Sequence, residues 1–188
     1  MLFRSADAST SPSTDAELNE VKKRCDAFLS MHDDPTIMHL SRLGLKSHAE
    51  TAMLLKVLHT MKNDSVMNTM LSSCDRLFKL SCRTILTENF KLSNHDVPGK
   101  YVFWKKTPTW MSPPIMNATH SLMTRFYSVC GSLIDHYIGV LHCNIQLLNS
   151  GLDTEHAHFV NINPTLLVEL PTMGCYGYVA GHGKIEHY

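Results

Sequence analysis

At 188 residues, 44% of them hydrophobic, the chain is long enough to form one domain that buries roughly 70% of its unfolded surface, so it needs neither a metal nor a disulfide to fold. Seventeen basic and seventeen acidic residues cancel, and no stretch concentrates either sign, which argues against a nucleic-acid groove and against a polybasic membrane anchor. Six cysteines, Cys25, Cys74, Cys82, Cys130, Cys143 and Cys175, contain no C-x-x-C pair and mostly fall on predicted apolar faces, the pattern of reduced thiols in a cytosolic compartment.

In chain order, residues 1–14 read as a flexible tail, polar from Ser5 to Thr14. No signal-peptide apolar run opens the chain, and Arg4 followed by Asp7 makes at best a weak transit peptide. Thr14 with Glu17 matches a capping box for a helix carrying Leu18, Val21, Cys25 and Phe28. Asp34-Pro35 opens a short helix through Leu43, and Gly44 is placed to stop it. Ser47 with Glu50 caps the next helix, striped by Met53, Leu54, Val57, Leu58 and Met61, and Asn63-Asp64-Ser65 breaks it. A fourth helix is predicted from Val66 to Ile85 on the spacing of Met67, Met70, Leu71, Cys74, Leu77, Phe78 and Ser81, with the loop from Asn94 to Gly99 beyond it.

Tyr101 to Trp104 reads as a strand. Ile115, Thr119, Leu122, Phe126, Val129, Cys130, Leu133, Ile134 and Tyr137 then recur at three- and four-residue steps, which predicts a long helix with Ser112 as N-cap, Pro113 at its first position and Gly139 at its end. Leu141, Cys143, Ile145 and Leu147 alternate with His142, Asn144 and Gln146, the period of a half-buried strand. Asn149-Ser150-Gly151 reads as a turn, His156 to Ile162 as the returning strand, and Thr165 to Leu170 as one more, between Pro164 and Pro171. Residues 171–188 have no usable period and read as a C-terminal extension. The predicted fold is α+β, four to five helices layered on a small antiparallel sheet, with residues 15–170 forming the single domain. Phe126 to Leu148 is the most hydrophobic window, but Asp135, His136, His142, Asn144 and Gln146 make it too polar to span a bilayer.

The segment Leu40-Ser-Arg-Leu43-Gly44, the predicted helix around Cys74 to Leu86, the strand from Tyr101 to Trp104 and the run from Phe126 through Cys130-Gly131 to Ile134, in that order, resemble the small subunits of the TRAPP vesicle-tethering complex, of the Bet-three type. The likeness covers roughly Asp15 to Leu170. His48 stands where that family usually has a second glycine, and no cysteine falls near Lys62 to Ser65, where one of those subunits can be acylated. The resemblance implies a Bet-three-like, non-catalytic building block without cofactor, cytoplasmic and peripheral to Golgi and ER membranes. It would pair with related small subunits through a helical face such as Met53, Leu54, Val57, Leu58 and Met61. It would serve a Rab-family GTPase indirectly, and it would meet membranes only through the complex.

Sharper chemistry is sparse. As a strand, His156-Ala157-His158 would put two imidazoles on one face, a weak candidate metal site or acid/base pair for a small enzyme. Asp135-His136 are neighbours that a helix would point about 100° apart. Asn117-Ala118-Thr119 matches a glycosylation acceptor, but no secretory signal accompanies it. Gly174, Gly177, Gly181 and Gly183 do not form a phosphate loop, and no nucleophile elbow or dinucleotide fingerprint occurs. A structural subunit of another large assembly, mitochondrial or viral, is the remaining alternative.

Overall fold

The structure is a computed structural model that describes residues 3–6, 19–20, 22–23, 27–31, 33–81, 83–179 and 184–188. It divides into two compact units, Met1–Ser72 and Ser73–Tyr188. The class is α+β, as predicted, with helices packed on mixed sheets.

In the first unit, β1 (Phe3–Ala6) pairs in parallel with β2 (Ala27–Ser30), so part of the expected tail is a strand. Of the helix predicted around Leu18 to Phe28, Asn19, Glu20 and Lys22 are helical and Phe28 lies in β2; Leu18, Val21 and Cys25 are outside the described residues. α1 (Pro35–Arg42) starts as the sequence indicates, with Asp34 accepting from the Ile37 N–H at 2.9 Å. Lys56 bonds the same carboxylate. That bond, ahead of the Ile37 N–H, holds Asp34 below its ordinary pKa. The helix ends in a Schellman motif: Leu45 N–H reaches the Leu40 carbonyl, Gly44 N–H reaches that of Ser41, and Gly44 sits at φ +72°. Leu40 is half-buried and Leu43 exposed.

α1 packs on α2 (Lys46–Asn63), which begins one residue before the predicted Ser47 cap. Val57, Leu58 and Met61 are buried and Met53 and Leu54 half-buried, so three of the five residues expected at an interface are core. Asp64 ends α2 and accepts from the N–H groups of Val66 and Met67, starting α3 (Ser65–Ser73). α3 stops well short of the predicted end at Ile85. Beyond it the chain is extended, as β3 (Arg76–Leu80) and β4 (Thr84–Leu86).

The second unit reverses the largest prediction. The stretch from Pro113 to Cys130 has no α-helix: it holds an exposed loop with a cis Ser112–Pro113 peptide and a single 3-10 turn at Ile115–Asn117, then β7 (His120–Ser121) and β8 (Phe126–Cys130). The helix lies where a strand was expected, as α4 (Ile134–Asn149), with Gly139 exposed inside it. The expected return strand is α5 (Thr154–Asn161). Phe126, Tyr127, Ser128 and Val129 are all buried because β8 is central, and a strand buried on both faces has no period to read. In α4 the buried residues Ile134, Tyr137, Ile138, Leu141, Asn144 and Leu148 follow helical steps, while Cys143 is exposed and Ile145 only half-buried.

β5 (Tyr101–Trp104) and β9 (Leu167–Leu170) lie where the sequence puts them. The main sheet runs β3-β8-β5-β9, antiparallel except for the parallel β5–β9 pair. One face carries Tyr101, Phe103 and Tyr127 toward α4. Tyr101 bonds His136, Tyr127 bonds Tyr137, and Phe103 stacks on Tyr127 at 4.5 Å. The other face buries Phe126 with Met173, Cys175 and Tyr188, beside Phe78 and Phe90. The supposed extension therefore contributes core residues and two strands, β10 (Cys175–Val179) and β11 (Lys184–His187), which with β4 form a sheet in the order β11-β10-β4. A short pair, β6 (Thr107–Pro108) with β7, roots a hairpin whose loop runs from Thr109 to Thr119.

Candidate functional site

Three features of the second unit have chemistry to offer: the brace under the β6–β7 hairpin, the cleft beside it, and the outward face of the β11-β10-β4 sheet.

The brace is built from α5. Asp153 is its N-cap, accepting from the His156 N–H at 2.9 Å and, through the same Oδ1, from His156 Nδ1 at 2.6 Å. With Nδ1 donating, His156 Nε2 accepts from the Thr109 hydroxyl at 2.8 Å. Asp153, His156 and Thr109 thus stand in the order of an acid/base relay. His156 is only 1% exposed, however, and the Thr109 oxygen also accepts from the Met111 N–H at 3.1 Å. The chain of bonds ties the hairpin root to the helix N-terminus. Asp153→Ala is expected to lower stability by about 2–3 kcal/mol, through the lost cap and a buried imidazole N–H left unmatched; urea unfolding checks this, with Thr109→Val costing about 1 kcal/mol by the same measure.

His158 does not join His156. Two residues along a helix point away from each other, and His158 turns inward, with Nδ1 2.8 Å from the Thr154 carbonyl and its ring against Phe103, Tyr127 and Tyr137. The shared strand face on which a metal site depended does not exist. Among the described residues no group of three His, Cys, Asp or Glu is arranged to hold a metal ion.

The cleft has a volume of about 480 Å³ and is walled by Trp104, Thr107, Ser121, Arg125, Glu155 and Tyr188, among others. The Arg125 guanidinium bonds the Tyr188 hydroxyl, lies 5.7 Å from that ring and is 3.8 Å from Glu186. Burial, ahead of the Glu186 bond, pushes the Tyr188 phenol up to about 12. Glu155 accepts from the Thr124 hydroxyl at 3.1 Å. The cation in the cleft is thus already matched by protein groups.

Cys130 and Gly131, which belong to the resemblance, sit at the β8–α4 junction. Partial burial raises the Cys130 thiol, but the Ser132 hydroxyl, the Gly99 and Ser132 N–H groups and the Arg76 charge outweigh it, and the net shift is downward. The Gly99 N–H lies 3.2 Å from the sulfur. Gly131 is needed for clearance: a Cβ there would lie 1.9 Å from the Cys74 carbonyl oxygen. The free thiols among the described residues are Cys74, Cys130, Cys143 and Cys175, with Cys143 exposed; Cys25 and Cys82 lie outside those residues.

On the β11-β10-β4 sheet, register puts Ile85, Tyr176 and His187 in one cross-strand row, and Tyr178 with Ile185 in the next row of the same face. Ile85 is 54% exposed, Tyr178 49% and Ile185 60%. The sequence reading missed this face because it found no period after Pro171. It also missed Thr109, Asp153 and Trp110. The Asp-x-x-His spacing of a capped helix start at Asp153, and a tryptophan among Pro108, Pro113 and Pro114, were the signals available.

No helix among the described residues is long and apolar enough to cross a membrane. Comparison of the chain with protein-family models, with curated proteins and with solved structures returns no match.

Proposed function

We propose that this chain is a non-catalytic interaction subunit of a larger protein assembly, and that it binds its partner through the outward face of the β11-β10-β4 sheet. The observation that carries this is the cluster of Ile85, Tyr178 and Ile185, three large apolar side chains each about half exposed or more on one regular surface. Tyr176 and His187, whose rings lie 5.6 Å apart, add aromatic surface to the same face. The helical face of Met53, Leu54, Val57, Leu58 and Met61 is a poorer candidate, since Val57, Leu58 and Met61 are buried.

Tyr178→Asp combined with Ile185→Asp tests the proposal. Both side chains are exposed, so the fold should persist by circular dichroism, while recovery of partner proteins with the tagged chain from its source cells falls on the order of a hundredfold. Unchanged recovery would overturn it. The tethering complex is one assembly of the required kind, and the short motifs around Gly44 and Cys130-Gly131 support it. The helix around Cys74 to Leu86 that formed part of the likeness is absent, replaced by β3 and β4, and the run from Phe126 to Cys130 is the strand β8 rather than part of a long helix from Ser112. Co-purification of a Bet-three-type subunit, lost in the double variant, is the outcome expected if that assembly is the right one; a mitochondrial or viral set of partners is the outcome expected otherwise.

A further inference from the structure

β11 closes one side of the β11-β10-β4 sheet, and among the described residues no strand pairs with its outer edge. Its four residues, Lys184 to His187, are all exposed. The pairing with β10 fixes which backbone groups that edge presents. Tyr188 and Cys175 exchange both bonds, the Tyr188 N–H reaching the Cys175 carbonyl at 2.8 Å and the Cys175 N–H the Tyr188 carbonyl at 3.4 Å. Antiparallel ladders alternate, so Glu186 and Lys184 also turn their N–H and C=O groups toward β10, opposite Gly177 and Val179, while those of Ile185 and His187 point outward. Such an open row of donors and acceptors is a template for another strand, and many edges are blunted against it, for instance by a lysine.

Here the lysine is not alone, and its companion selects the occupant. Lys184 and Glu186 flank Ile185 on one face of the strand, while Ile185 lies on the other face beside Tyr178. Two copies of β11 related by a two-fold axis pair antiparallel only in registers that bring outward-turned residues opposite each other. With Ile185 opposite itself, Lys184 of each copy faces Glu186 of the other, in the non-hydrogen-bonded pairs where side chains come closest. A register centred on Glu186 or on Lys184 sets like charges together, and one centred on His187 sets Glu186 against the buried Tyr188 rather than a cation. The Ile185 register also lays Tyr178, Ile185 and their two counterparts in one row across the axis, so the apolar face of one sheet runs on into the other. Glu186 has capacity for a lysine: its contacts with the Tyr188 hydroxyl at 2.9 Å and with Arg125 at 3.8 Å both fall on Oε2, and its side chain is 48% exposed. In the cleft on that side Arg125 stands against two carboxylates, Glu155 and Glu186, and an arriving Lys184 balances the second.

We infer that β11 pairs antiparallel with β11 of a second copy of this chain, Ile185 opposite Ile185 and Lys184 opposite Glu186 on either side of the axis, giving a six-stranded sheet with one continuous apolar face. The contact uses the strand edge, so it leaves the face of Ile85, Tyr178 and Ile185 open to a different partner and does not rest on that proposal. Sedimentation velocity of the whole chain across the micromolar range is the experiment, and a concentration-dependent equilibrium between monomer and dimer is expected. Lys184→Glu and Glu186→Lys each bring like charges together twice, and each should weaken self-association on the order of tenfold or more. Mixing the two variants should restore a dimer, because every such pair between unlike copies is then a lysine against a glutamate. Circular dichroism checks both folds; if Glu186→Lys loses structure through Arg125 and Tyr188, Lys184→Glu at its exposed position decides by itself. A chain monomeric throughout, self-association indifferent to Lys184→Glu, or a mixture of folded variants that stays monomeric would each overturn the inference. A monomeric chain that still recovers partner proteins would sink the strand pairing and leave the sheet-face proposal standing, so the two failures are distinguishable.

Discussion

Gly131→Ala is expected to unfold the second unit or to cost it about 3 kcal/mol or more. An added Cβ would meet the Cys74 carbonyl oxygen at 1.9 Å and its carbon at 3.1 Å, both backbone atoms with no rotamer to relieve the overlap. Nor can the glycine move away cheaply, because its own N–H donates to the Asp75 carbonyl at 2.8 Å. The junction is where β8 leaves its pairing with β3 and turns into α4, so a shift there displaces the central strand and the helix covering it together. Gly139→Ala is the matched control with the opposite sign. It lies exposed within α4 with nothing within 4 Å of the added methyl, and alanine there should stabilise by about 0.5–1 kcal/mol. Denaturant midpoints for the two variants separate a glycine required by close approach from one that merely weakens a helix.

The second large effect is acid sensitivity centred on His95. This residue is 1% exposed, packed against Phe78, Phe90 and Phe126 at ring separations of 5.1–5.5 Å, and its Nδ1 lies 2.8 Å from the Ser128 hydroxyl. The Ser128 oxygen accepts from Arg76 at 3.0 Å, while Arg76 also holds the Lys100 and Val97 carbonyls. Burial first, and then the Arg76 charge, disfavour the imidazolium and bring the folded-state pKa down to about 4, from an ordinary value of 6.5. A depressed histidine contributes stability that is complete above the unfolded pKa, near 6.5, and is lost as pH falls from there toward 4, because over that window the unfolded chain binds the extra proton. The loss is about 1.4 kcal/mol per pH unit and about 3 kcal/mol in all. Urea midpoints measured at intervals from pH 7 to pH 4 should decline accordingly, and His95→Gln should flatten the decline. The downward-shifted carboxylates Asp34 and Glu169 lose their contribution only as pH falls below the ordinary carboxylate range, beneath most of this window. A native-chain midpoint flat between pH 6.5 and 4 would show that His95 is not buried neutral.

The parts of this protein written locally are legible in its sequence. Asp34-Pro35 and Gly44 bound α1 because a carboxylate cap and a left-handed glycine act within a few residues of themselves, and Asp64 separates α2 from α3 for the same reason. The strands at Tyr101–Trp104 and Leu167–Leu170, and with them the α+β class, follow from β-forming runs between breakers. What the tertiary structure alone decided is the state of Phe126–Cys130 and of the two helices after it. A strand flanked by β3 and β5 is buried on both faces, so its side chains show no alternation, and their spacing happens to match a helix. In α4, polar Asn144 is buried while Cys143 is exposed, so hydrophobicity misreports which side faces the core. The binding surface and the hairpin root depend on the same long-range pairings: Ile85 meets Tyr176 from the far side of the second unit's sequence, and Thr109 is tied to a helix that begins at Thr154. Neighbours in the chain set caps and turns; which face of an element is covered depends on partners far away in sequence, and no local pattern encodes them.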